Sequence, residues 1–218
     1  VVSCKTETEL LEKWFDFISR LDPDIITGYN IFGFDFSYIW ERAEVLGIVD
    51  EENPLMLGRI REYASQLETK KLASSALGDN TLNYITMDGR VLIDLLKVIQ
   101  RDHNLVSYKL DYVAEYFIND SVLDVINTID NNSELKIKGV YTLPKGGYIT
   151  IDYINTQPGN DYKNKKFKIV DINIEKSSIT IEGNIDKSKL FNEHVSKVKW
   201  QLAKDDVSPR DIFEFQKE

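Results

Sequence analysis

The chain has 218 residues, 42% of them hydrophobic and 11% aromatic, with 27 Lys/Arg against 36 Asp/Glu and a formal net charge of −9. That composition excludes a disordered chain, and the absence of any run of about 18 apolar residues excludes a membrane-spanning helix. One cysteine (Cys4) and two distant histidines (His103, His194) leave no disulfide framework and argue against a Cys/His zinc site, so a metal bound here would sit on oxygen ligands.

The acidity is uneven: residues 1–60 hold 5 Lys/Arg against 12 Asp/Glu, the remainder 22 against 24. Such a balance speaks against autonomous tight DNA binding, which calls for a basic face. It suits a site where carboxylates recruit divalent cations and the cations meet a phosphate. Val1-Val-Ser-Cys4 has neither the basic flank nor the apolar core of a signal peptide, and Phe213–Glu218 stops inside a helix-like pattern, so the chain reads as a piece of something longer.

Thr6 with Glu9 three residues on is a capping-box pattern. Leu10, Leu11, Trp14, Phe15, Ile18 and Leu21 then recur at helical spacing until Asp22-Pro23-Asp24 breaks the run. Ile25-Ile26-Thr27 reads as a short buried strand ended by Gly28. A second helix is predicted from about Ser37 through Leu46, with Tyr38, Ile39, Ala43 and Leu46 inward. Residues 50–85 are polar and irregular, with a short helix expected around Arg61–Leu67. Val91–Asp94 reads as a strand, Leu95–Arg101 and Leu110–Phe117 as helices, which completes an α/β layer pattern.

After Phe117 the pattern changes to short β-rich runs: Leu135–Val140, Tyr148–Ile154, Phe167–Ile174 and Ser178–Glu182. Pro144–Gly147, Gln157–Asn160 and Lys176–Ser178 are the turns between them. From about Phe191 the pattern turns helical again, with Pro209 at a helix start. The expected architecture is an α/β core interrupted by a β-rich insert: 1–120 as the first part of the core, 121–195 as the insert, 196–218 as the second part of the core.

The segment with chemistry is Gly28-Tyr29-Asn30-Ile31-Phe32-Gly33-Phe34-Asp35. It follows a strand, where α/β sheets place ligands at carboxyl ends. Asp35 offers a carboxylate at a helix start, Asn30 an amide donor and acceptor, Phe32 and Phe34 flat faces for a base. Plain readings stand beside these: Asp35 as an N-cap, the two phenylalanines as core, Asn30 as a turn residue.

Leu21 through Ile39 resembles the second exonuclease motif of family B DNA polymerases, Asn–two or three residues–aromatic–Asp, in its delta-type context. Glu9-Leu-Leu-Glu-Lys-Trp14 looks like the helix before that motif, and Gly89–Leu96 with Leu105–Leu110 like the next strand–helix–helix segment. Lys204–Lys217 is similar to the approach to the third motif. The insert at 121–195 departs from the cellular pattern and looks more like versions carried by large DNA viruses of eukaryotes.

The resemblance implies a ribonuclease H-like fold, a mixed sheet with helices, and 3′→5′ hydrolysis by two metal ions, Mg²⁺ or Mn²⁺. It makes Asp35 the catalytic metal ligand and places Tyr29, Asn30 and Phe34 against the single-stranded 3′ end of primer DNA. Asp94 reads as structural, because the family pattern does not use that position for metal. An Asp-x-Glu motif should precede Val1 and a Tyr-x-x-x-Asp motif should follow Glu218, so the isolated chain, with one ligand of about four, is expected to be inactive. Its partners would be the rest of the polymerase chain and the primer end, and its place the nucleus or a viral replication site. Two other readings remain. One is a binding module whose insert contacts a sliding clamp, another subunit or a template strand, with Lys163, Lys165, Lys166 and Lys168 around Phe167. The other is an unrelated ribonuclease H-like nuclease.

Overall fold

The structure, a computed structural model, describes residues 2–74, 78–139, 143–155, 162 and 165–203. The expected turn at Gln157–Asn160, Lys163, the Lys204–Lys217 stretch and the helix start at Pro209 lie outside the described residues. The chain divides into two compact units, one up to Tyr108 and one from Lys109 onward.

In the first unit, Thr6 Oγ1 accepts the Glu9 N–H and starts α1 (Glu7–Leu21), whose Leu11, Phe15 and Ile18 are buried. Asp22 ends it in a left-handed conformation, φ 48°. Strand β1 (Ile25–Gly28) pairs in parallel with β4 (Val91–Asp94), Gly28 opposite Asp94. Helix α2 (Phe36–Val45) buries Phe36, Trp40 and Ala43, and Tyr38 faces outward, 51% exposed. The inward Tyr38 of the sequence expectation is thus replaced by Phe36 and Trp40, which lie four residues apart and so share one helix face. Leu67–Ser74 (β2) and Gly78–Ile85 (β3) form an antiparallel ladder where irregular chain is expected, and Ile85 at its base is fully buried in the core; residues 61–66 are turn and irregular chain rather than the expected short helix. Helix α3 (Leu95–Asp102) follows β4 directly.

Arg90 fastens this unit with an almost wholly buried side chain. Its guanidinium donates to the carbonyls of Leu57 and Pro23 and to the Asp22 carboxylate. Arg59 adds two bonds to Asp22, through the side chain and the carbonyl. The helix end, the entry to β1 and the loop before β2 are therefore held by one pair of cations.

The second unit opens with α4 (Leu110–Phe117). Six strands follow, β5 (Asn119–Asn127), β6 (Asn132–Ile137), β7 (Tyr148–Asn155), β8 (Lys166–Asn173), β9 (Ser178–Glu182) and β10 (Val195–Ala203), and α5 (Lys187–Leu190) precedes the last. They close as a barrel in the order β10-β5-β6-β9-β8-β7. Closure removes exposed strand edges. Register shifts at Val122/Asp124, Ile169/Asp171 and Val195/Lys197 mark bulges that bend strands into the closed sheet. Alternate side chains point inward, among them Leu135, Ile149, Ile151, Ile179 and Trp200. β-Branched residues suit this pleated, buried surface.

Two sequence expectations change here. Phe191–Ala203 is not helical: Val195–Ala203 is a strand that pairs with β5 and β7. Its Val198 and Trp200, two residues apart, fill the barrel, and period-two burial of this kind belongs to a strand. The compact unit also begins earlier than residue 121 and includes residues 196–203, because β5 starts at Asn119 and the Leu202 N–H donates to the Ile118 carbonyl.

Leu135→Ala should destabilise the barrel by about 2–5 kcal/mol, measured by urea unfolding, because Leu135 is wholly buried and its removal leaves a cavity. Hydrogen bonds from Arg59 and then Arg90 hold the Asp22 carboxyl below its ordinary value of 3.8. The stabilisation is therefore full above that value and is lost as pH falls through the folded one. The melting-temperature gap between the native chain and Asp22→Asn should accordingly close in strong acid.

Candidate functional site

The candidate site is built at the carboxyl end of the parallel β1–β4 pair. Thr27 Oγ1 donates to the Ile93 carbonyl at 2.9 Å and ties the strand ends together. The chain then leaves β1 through Gly28, where a Cβ would meet the Ile31 side chain at 2.6 Å. Glycine is required there by the close approach of the returning loop.

Asn30 adopts the left-handed conformation, φ 62° and ψ 27°. Asparagine is among the few residue types that tolerate it. Its N–H donates to Asp94 Oδ1 at 2.8 Å, and the Phe32 N–H donates to Asp94 Oδ2 at 3.1 Å. The Asn30 carbonyl accepts the N–H groups of Gly33 and Phe34. A π-helical turn, Ile31–Asp35, follows and hands the chain to α2. Such turns are rare and recur at functional sites, since the extra residue re-aims the side chains around it.

The turn separates the two phenylalanines. Phe32 packs inward against Phe36 and Tyr84, with ring centroids 6.0 and 6.2 Å apart. It packs against the core, the plain reading of these rings. Phe34 faces outward, 60% exposed, and stacks on Tyr38 with centroids 5.5 Å apart and planes 11° from parallel. Tyr38 is a member of this exposed pair that the sequence pattern places inside. The i, i+4 spacing from Phe34 is the signal for it, once both residues are known to be helical.

Asp35 sits at the junction of the π turn and α2, exposed, and its side chain makes no capping hydrogen bond. The plain N-cap reading is therefore not what holds it. The Asn30 side chain lies over Gly33, with Oδ1 2.3 Å from where a Cβ would stand. Tyr29 is half-buried, and its hydroxyl donates to the Tyr108 carbonyl at 2.5 Å. Burial, and secondarily the negative charge of Asp94, push this phenol above its ordinary value of 10.0, so it stays a neutral donor.

A hard cation prefers carboxylate oxygen, and the free, exposed carboxylate of Asp35 fits one position of such a site. Among the described residues no group of three or more His, Cys, Asp or Glu is placed to hold a metal, and Asp94 is committed to backbone N–H groups. The described residues thus bring together one exposed carboxylate, an amide and an exposed aromatic face. No helix among them is long and apolar enough to cross a membrane.

A family model described as DNA polymerase family B, exonuclease domain, matches residues 1–113. The DNA polymerase of Pyramimonas orientalis virus is 42% identical over 217 residues, covering 100% of this chain and 16% of that protein. The DNA polymerase of Phaeocystis pouchetii virus is 30% identical, over 98% of this chain and 21% of its own length. The DNA polymerase delta catalytic subunit of Caenorhabditis elegans is 39% identical over 129 residues, 59% of this chain and 12% of that subunit. The chain spans about a fifth or less of these relatives. Both viral relatives align through the barrel region, and the delta subunit aligns over little more than half the chain.

Gly33→Ala should rotate the Asn30 amide off the turn, because the new methyl group takes the space that Oδ1 occupies. The side-chain amide resonances of Asn30 should shift, and stability should stay within about 1 kcal/mol, a substitution at a helical glycine away from the core.

Proposed function

Since the chain belongs to the exonuclease domain of family B DNA polymerases, we propose that it serves 3′→5′ proofreading within a longer polymerase chain, trimming mismatched primer ends. The observation that carries this reading is the outward pairing of Asp35 and Phe34 on the π turn beyond β1, a free carboxylate next to an exposed aromatic face. A nuclease acting on a frayed end needs both, a ligand for divalent cations and a platform for an unstacked base.

In the proposed mechanism Asp35 holds one of two divalent cations, Mg²⁺ or Mn²⁺, through carboxylate oxygen. When bound, these ions supply Lewis-acid activation of water and stabilise the leaving 3′ oxygen. Phe34, backed by Tyr38, offers its open face to the terminal base. Asn30 orients the adjoining nucleotide with its amide, which donates and accepts. Tyr29 contributes ring surface rather than its hydroxyl, which is engaged by Tyr108. The remaining carboxylates of such a two-ion site are not found among the described residues.

We assign the ribonuclease H-like fold to the first unit on its parallel β1–β4 pair flanked by helices. The barrel is an elaboration of that core. The replication setting, nuclear or viral, follows from relatives named as viral polymerases and delta catalytic subunits. The DNA primer end and the remainder of the polymerase chain are the proposed partners. The family assignment displaces the reading as an unrelated nuclease.

Asp35→Ala in the full-length polymerase should abolish trimming of a mismatched 3′ end and leave nucleotide addition largely intact. Gel-resolved primer digestion and extension on one substrate measure both. Trimming at the native rate would remove Asp35 from the site and sink the reading.

A further inference from the structure

We propose that Asp94 is a positioning residue of the exonuclease site: its buried carboxylate locks the loop that aims Asn30, Phe34 and Asp35. The inference rests on the proofreading reading and deepens it, since Asp94 touches neither primer nor metal in this scheme.

Asp94 is the last residue of β4 and 2% exposed. A charge at that depth requires partners, and three backbone N–H groups supply them. Asp94 Oδ1 accepts from Asn30 at 2.8 Å and from Leu96 at 3.0 Å, and Oδ2 accepts from Phe32 at 3.1 Å. The Leu96 bond is an N-cap of α3. The other two cross 64 and 62 residues of sequence to the loop after β1. One carboxylate thus joins the start of a helix to the turn between β1 and α2.

The lock acts where the loop is hardest to hold. Asn30 sits in a left-handed conformation that costs free energy, and its N–H is the group that Asp94 binds. The same residue's carbonyl then receives Gly33 and Phe34, which opens the π turn ending at Asp35. A backbone shift at Asn30 or Phe32 therefore propagates to Phe34 and Asp35 within one turn. Moving the loop away would also leave a buried carboxylate short of donors, so both sides favour the same geometry.

Two variants separate the duties. Asp94→Asn is isosteric but turns one acceptor into a donor, so it opposes one loop N–H. Asp94→Ser is short, and its hydroxyl keeps the role of helix N-cap without reaching the loop. In the full-length polymerase both should raise amide exchange at Asn30 and Phe32, leave nucleotide addition unchanged and slow trimming by about 10- to 100-fold, the scale of a small misplacement of reacting groups. The Mn²⁺ concentration for half-maximal trimming should rise as well, which mere loss of folded protein would not produce. Native trimming and an unshifted Mn²⁺ midpoint in both variants, with Asp35→Ala inactive, would overturn the positioning role and leave the proofreading reading standing. Loss of trimming only in proportion to unfolded protein would overturn it equally. Persistence of trimming in Asp35→Ala would bring down both.

Discussion

A single carboxylate, that of Asp94, fixes the loop on which the candidate site depends. It is buried at the end of a strand and would be costly there without donors. The donors come from Asn30 and Phe32, in the turn between β1 and α2. Parallel pairing of β1 with β4 brings the two together, since Gly28 and Asp94 are opposite one another at the strand ends. The loop's unusual backbone, left-handed at Asn30 and π-helical after it, is therefore over-determined by its surroundings, the condition under which such conformations persist.

From that anchoring follows the division of side chains. Phe32 enters the core beside Tyr84, and Phe34, two residues on, stands outside with Tyr38. Asp35 ends the turn facing solvent, free of the capping bond that a helix-start aspartate usually makes. Within the proposed function this is a site whose apolar and polar groups are sorted by one turn of backbone. Arg90 and Arg59 do similar work at the other end of β1, where they tie Asp22 and Pro23 to the loop before β2.

The barrel rests on different physics. Its stability lies in an interior of isoleucines, Leu135, Phe167 and Trp200, and each strand pairs with a neighbour on both sides. The buried Ser133 hydroxyl is well partnered: it lies within hydrogen-bond distance of Asn127 Oδ1 and the Gly183 carbonyl, and it accepts from the Ile185 N–H. The alignments of both viral relatives run through this region.

The family and most elements of the first unit were legible in the sequence. Gly28–Asp35, the capping pattern at Thr6 and the apolar spacing of α1 are local signals, set by neighbours three or four residues away. The barrel strands after residue 147 were legible from alternation, but β5 and β10 were not. Asn119–Asn127 carries too many polar residues to show alternation, and Val195–Ala203 buries only its Val198, Trp200 and Ala203. The ladder of β2 and β3 carries no local signal, because its polar residues become a strand only by pairing with one another. The sequence by itself determined the spacing of the candidate residues Asn30, Phe34 and Asp35 on one short segment. Tertiary structure alone decided which way they face. That orientation depends on a carboxylate more than 60 residues away, whose need for donors no local pattern can express.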